Sequence, residues 1–216
     1  MNSLIIISLQ NQLKIALIIS FLMLIGSVLF VSCTTDNDTE YPKTKTTLFA
    51  ENFSDNTDGE ILNSNGWTNY AQSGTKKFTE QVYSGNGYAQ FTSFQSGQSS
   101  NIAWLISPPF NMDMQQGETL VFQAAHAFLT AADNNLEVMV STDYDGNIAH
   151  FNQASWLNLP AITPKPSNEF YEWVNSGEID LSKFNGTLHV AFKVKGSGTN
   201  TNLDATFQID NIRLYY

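Results

Sequence analysis

The chain has 216 residues but one cysteine, six prolines and ten basic side chains, against twenty acidic ones, for a formal net charge of −10. A single thiol excludes a disulfide framework within one chain and any zinc site built on two thiolates. The shortage of Lys and Arg argues against a nucleic-acid partner, because phosphate binding relies on basic side chains that displace counterions. Charged residues make up only 14 %, while 42 % are hydrophobic and 12 % aromatic. Such a composition buries a core and is not that of a disordered chain. From Thr47 onward no internal repeat and no second zone of composition divides the sequence, and no convincing helix of ten or more residues is visible.

What is there begins with an address. Lys14 is the only charged side chain before Asp36, and an apolar run from Ile15 to Val31 follows it, ending at Ser32-Cys33. A positive start, an apolar stretch and a small residue before the cut describe a secretory signal over residues 1–32. The competing reading is an amino-terminal membrane anchor, for which the run is at the short end. Phe30-Val-Ser-Cys33 resembles a bacterial lipobox, with a Phe where Leu is more usual. That resemblance implies that the Cys33 sulfur is lipidated and fastens the protein to the outer membrane. Residues 33–46 are polar, without an apolar period, and read as a flexible tether. Their acidic residues resemble the surface-export signal of Bacteroidetes lipoproteins; a plain solvated linker is the alternative.

From Thr47 onward the hydrophobic period is two. Phe49, Glu51 and Phe53 share a face, as do Ile102, Trp104 and Ile106, then Leu120, Phe122, Ala124, His126 and Phe128. Leu188, Val190, Phe192 and Val194 alternate with polar or small neighbours. In the last run Ile209 and Asn211 alternate with Gln208, Asp210, Ile212 and Leu214. Turn clusters such as Asp58-Gly59, Ser84-Gly-Asn-Gly87 and Asp145-Gly146 separate the runs. Nine or ten short strands with frequent turns predict an all-β protein over residues 47–216: a single antiparallel β-sandwich domain of jelly-roll type.

Seven landmarks then occur in order: Phe49-Ala-Glu-Asn-Phe53, Gly66-Trp67, Ala103-Trp-Leu-Ile-Ser-Pro108, Val140-Ser-Thr-Asp-Tyr-Asp-Gly146, Ser176-Gly-Glu-Ile-Asp-Leu-Ser182, Val190-Ala-Phe-Lys193 and Ile209-Asp-Asn-Ile212. Together they resemble the choice-of-anchor J domain, related to the cleaved adhesin domains of gingipains. The resemblance implies a jelly-roll β-sandwich on Bacteroidetes surface proteins, acting in adhesion or binding without catalysis, and in several members holding structural calcium. The Asp-rich loop that cleaved adhesins carry after Gly-Trp is replaced here by Thr68-Asn-Tyr-Ala-Gln-Ser-Gly74, which has no carboxylate.

Three groups of residues bear on chemistry. Glu51 stands between two inward aromatics on the first strand, and first and last strands are often neighbours in jelly rolls. An inward carboxylate needs a cation or donors. Glu51 and Asp210, aided by Asp58, are therefore the expected ligands of a structural Ca²⁺; a solvent-facing or lysine-paired Glu51 is the alternative. Trp156, Tyr171 and Trp173 flank the long 152–172 region and are the expected ligand-binding aromatics, since flat rings stack on sugars while amides supply hydrogen bonds. Buried packing is the competing role for each. Asp143-Tyr-Asp-Gly146 lacks the later Glu of a calcium loop and reads as a surface turn.

Catalysis finds little footing. There is no Glu-x-Asp-x-Glu run, and His126, His150 and His189 have no motif pairing them with a serine or a metal. The reading is a non-catalytic envelope lipoprotein that binds a glycan or a surface protein. A structural subunit of a surface assembly is the alternative, and a glycoside hydrolase-like enzyme a weaker one.

Overall fold

The computed structural model describes residues 44–55 and 57–216. The signal segment 1–32, Cys33 and residues 34–43 of the tether lie outside the described residues. The strands are β1 (Thr47–Glu51), β2 (Thr68–Ser73), β3 (Thr79–Tyr83), β4 (Asn86–Thr92), β5 (Asn101–Ile106), β6 (Phe110–Asn111), β7 (Thr119–Ala127), β8 (Leu136–Ser141), β9 (Leu157–Leu159), β10 (Val174–Asn175), β11 (Ile179–Asp180), β12 (Thr187–Gly196) and β13 (Thr206–Tyr215). Among the described residues the only helical pieces are two 3₁₀ turns, Ile148–Gln153 and Thr201–Leu203. The fold is all-β, an antiparallel sandwich of jelly-roll type.

One sheet runs β10-β7-β13-β4-β3, with β1 on β13 and β11 on β7; the other runs β2-β5-β12-β8-β9, with β6 on β12. All strand pairs are antiparallel. The first and last strands are neighbours, Thr47 facing Tyr215 and Glu51 facing Ile212. Alternation drives each sheet to turn one side chain in two toward the other. Phe91 and Phe207 from the first sheet, and Leu105 and Phe192 from the second, are fully buried in this layer. Phe122 of β7 meets Phe192 of β12 edge-on at 5.0 Å between centroids, tying the two sheets together. Gly87, the second residue of β4, lies where the Phe53 carbonyl passes; a Cβ there would lie 2.0 Å from that oxygen.

Two features depart from simple alternation. Trp104 and Ile106 are buried as expected, but not between the sheets. They face outward from β5 and are covered by a second cluster containing Met139, Tyr144, Phe151 and Ala191. The segment 144–156 wraps over that face, so β5 is buried on both sides. The other departure is a bulge in β13. Asp210 pairs with Gln123 and Arg213 with Val121, so β13 spends one extra residue in this stretch. Asn211 takes it up with φ of 52°, in the left-handed region that Asn tolerates. The bulge reverses the phase. Asp210 points outward with Gln208, whereas Ile212 and Leu214 return to the core, so Asp210 does not share their face as strict alternation predicts.

On the outer face of the second sheet Glu137 contacts Lys193 at 2.8 Å and Lys195 at 3.4 Å. Burial pushes the Glu137 carboxyl up, but the two ammonium groups outweigh it and hold the pKa below its ordinary 4.5. A carboxylate depressed on folding contributes stability that is present above the unfolded pKa and is lost as pH falls through the folded one. Glu137→Gln is therefore expected to flatten the acid side of the stability curve. Urea unfolding followed from about pH 6 down to about pH 3 checks this; an unchanged slope below pH 4.5 would refute the assignment.

Candidate functional site

The outer face of the first sheet carries a polar–aromatic surface. The register lines up Thr79, Gln90, Gln208 and Ala125 across β3, β4, β13 and β7. The Gln208 amide donates to Gln90 Oε1 at 2.9 Å. At the edge of β7 the segment 171–176 is laced down as an added strand. Tyr171 N–H donates to the His126 carbonyl at 2.7 Å, Val174 pairs with Ala124, and Ser176 N–H donates to the Phe122 carbonyl at 2.9 Å. Val174 takes the inner side, so its neighbour Trp173 projects outward beside Ala125, whose small side chain leaves room for an indole.

Trp173 meets Tyr88 of β4 edge-on, 5.8 Å between centroids. These two rings, with Tyr83, Asn86, Gln90, Tyr171 and Gln208, line an open cleft of about 560 Å³. Tyr83 and Tyr171 are 74 % and 52 % exposed, so their rings are available to a ligand. Burial, and then the Asp58 carboxylate, push the Tyr88 phenol above its ordinary value of 10.0, which keeps it a hydrogen-bond donor at neutral pH. None of the lining residues is a carboxylate or a histidine. The cleft has stacking surfaces and amides but not the two acids that glycoside hydrolysis uses.

The sequence-predicted aromatics divide. Tyr171 and Trp173 come together in this cleft. Trp156 is on the other sheet, 5.1 Å from the Trp104 ring and 5.5 Å from Tyr144, packed into the second cluster. Tyr88, Gln90 and Gln208 were not singled out from the sequence, although their outward alternation is readable there.

The expected calcium ligands are each held by donors of the chain. Glu51 accepts from Phe53 N–H at 2.8 Å and from the Trp67 indole at 3.1 Å. Asp58 accepts from Val82 N–H at 2.9 Å. Asp210, 1 % exposed, accepts from the side chains of Asn86 and Asn211 and from Asn211 N–H. Its pKa is raised, first by burial and also by the nearby Glu51 carboxylate. Glu51 and Asp210 are thus close enough to feel each other, as adjacent first and last strands require. Among the described residues no three or more His, Cys, Asp or Glu side chains form a group that could hold a metal ion. The Asp143-Tyr-Asp-Gly146 turn is closed on itself: Asp143 accepts from Ser141 Oγ and Ser155 N–H, and Asp145 accepts from Asn147 N–H and contacts His150.

Comparison with known proteins bears on the fold. Residues 68–215 match the family model described as "Domain of unknown function (DUF5017)". No curated protein matches the sequence. Among solved structures, the K2 cleaved adhesin domain of Lys-gingipain is 18 % identical, with 78 % of this chain and 98 % of that one covered at a TM-score of 0.51. The K1 cleaved adhesin domain of Lys-gingipain from Porphyromonas gingivalis W83 is 20 % identical, covering 78 % and 97 % at 0.49. A carbohydrate-binding module described for specific mannan recognition is 15 % identical, covering 80 % and 98 % at 0.43. The first of these bears out, at the level of fold, the resemblance to cleaved adhesins.

Proposed function

We propose a role for a chain that belongs to the family described as "Domain of unknown function (DUF5017)": a non-catalytic binding module that lays a glycan across the outer face of its first sheet. The observation that carries the reading is the cleft in which Trp173, Tyr88 and Tyr171 stand beside the amides of Gln90, Gln208 and Asn86. Sugar rings present apolar C–H faces and a rim of hydroxyls. Aromatic faces take the first, and amides, which both donate and accept, take the second. The fold shared with an adhesin domain is in keeping with a binding role. A glycan array probed with the full-length protein tests it: binding to at least one polysaccharide class is expected, and silence across the panel removes the reading. An exposed Phe128–Phe170 pair, 5.0 Å between centroids beside Tyr171, is where a partner protein would dock in that event.

The placement we propose is the cell envelope, with residues 1–32 removed and Cys33 lipidated. Buried acyl methylenes contribute about 0.8 kcal/mol each, so more than one chain gives lasting attachment. Cys33→Ala is expected to move the protein from the detergent-rich to the aqueous phase in detergent partitioning. Unchanged partitioning would remove the anchor.

A further inference from the structure

The aromatic cleft is one end of a longer surface. Further along β13 and β7 lies a second depression of about 520 Å³, open on the same outer face. It is walled by Gln123 and Val121 of β7, Asn211 and Arg213 of β13, and residues 175–178. The two are joined by a line of amides. Asn211 donates to Gln123 Oε1 at 2.8 Å, Gln123 donates to Asn175 Oδ1 at 3.0 Å, and Asn86, at the rim of the first cleft, donates to Asp210 at 3.0 Å. From Gln208 to Arg213 the surface extends roughly 15 Å along the strand, enough for several linked sugar rings.

Arg213 is the only arginine in the chain. It is exposed, and among the described residues its side chain has neither a hydrogen-bond nor an ion-pair partner. The one acidic side chain in the second depression, Glu178, is engaged by the Lys45 ammonium and by the Tyr215 hydroxyl. The guanidinium therefore stands free at the end of a groove, on a strand rather than a mobile loop, pushed to the outer face by the Asn211 bulge. Its planar fork matches the two oxygens of a carboxylate. The protein's overall negative charge acts weakly beyond the roughly 8 Å screening length of physiological salt, so the cation in contact decides.

Resting on the glycan-binding reading, we propose that the ligand is an acidic glycan, whose rings stack on Trp173 and Tyr88 and whose ring-borne carboxylate is taken by Arg213. The test is titration calorimetry of the full-length protein with oligogalacturonate, with its methyl-esterified counterpart of equal length, and with a sulfated oligosaccharide. The acid form is expected to bind about tenfold tighter than the ester, with a preference that fades in high salt. Arg213→Gln should erase that preference while leaving weaker binding of both, and Arg213→Lys should restore part of it. Trp173→Ala should weaken acid and ester alike. Equal affinity for acid and ester, a preference that survives Arg213→Gln, capture of the sulfated chain alone, or no binding of any of the three would each overturn the proposal. The glycan array separates these results from failure of the broader reading, since neutral polysaccharides binding there leaves the cleft in place and removes only the acidic specificity.

Discussion

Phe192→Ala is expected to cost about 3–5 kcal/mol of folding stability, the range for truncating a buried aromatic. The residue lies on β12, between β5 and β8, with no accessible surface. Its ring packs against Phe122 from the opposite sheet and lies 6.5 Å from Trp67. No neighbour can close the gap without moving a strand that is paired on both sides, so the cavity persists and its lining loses dispersion contacts. For a domain of this size the melting point should fall by roughly 10 °C. Tyr83→Ala, at a side chain 74 % exposed, should change stability by no more than about 0.5 kcal/mol. Comparable small losses from both variants would mean that the layer between the sheets is not the core.

Trp173→Ala is expected to weaken glycan binding by about thirtyfold, close to 2 kcal/mol, the scale of an aromatic hot spot. Its indole is half-buried at the edge of the cleft and rests on β7 through a short added strand, so its loss removes stacking area without opening the core. The melting point should stay nearly constant. Tyr88→Ala should weaken binding by about tenfold, because it supplies one wall rather than the platform. Trp156→Ala makes the opposite pair of changes. It should lower stability, since the ring packs on Trp104, Phe151 and Tyr144, and leave affinity untouched. Calorimetry against the best array ligand, with a melt of each variant, reads both axes. If Trp156 and Trp173 exchanged these outcomes, the ligand would sit on the other sheet.

The architecture was legible because most strands have one buried face, and a period of two is then written in the residues. The runs at 120–128 and 188–194 gave β7 and β12, and the adjacency of first and last strands followed from jelly-roll reasoning. Alternation failed where a local backbone choice changed its phase. Nothing in Ile209-Asp-Asn-Ile212 announces that Asn211 will adopt a left-handed conformation, yet that one residue moves Asp210 from the inner to the outer face. Alternation also names two faces without saying what covers each. Ile102, Trp104 and Ile106 were readable as a buried stripe, but the lid formed by residues 144–156 is a tertiary fact, and so is the partial burial of Trp156. The cleft divides in the same way. Trp173 and Tyr171 stood out as aromatics in an irregular region. Tyr88, Gln90 and Gln208 were readable only as outward-facing, because their importance arises when residues 171–176 join the edge of β7 and raise a wall beside them.

The pairing of β1 with β13 has a mechanical side. Thr46 and Tyr216 exchange backbone hydrogen bonds of 2.8 and 3.1 Å, and the ladder continues to Glu51 opposite Ile212. A pull on residue 45 against the rest of the first sheet must cross this ladder. Antiparallel bonds lie perpendicular to the strands, so traction along β1 shears them all at once, whereas peeling opens them one after another from the Thr46 end. The hold of β1 on β13 therefore depends on direction: firm when the pull follows the strand, weak when it lifts the strand away.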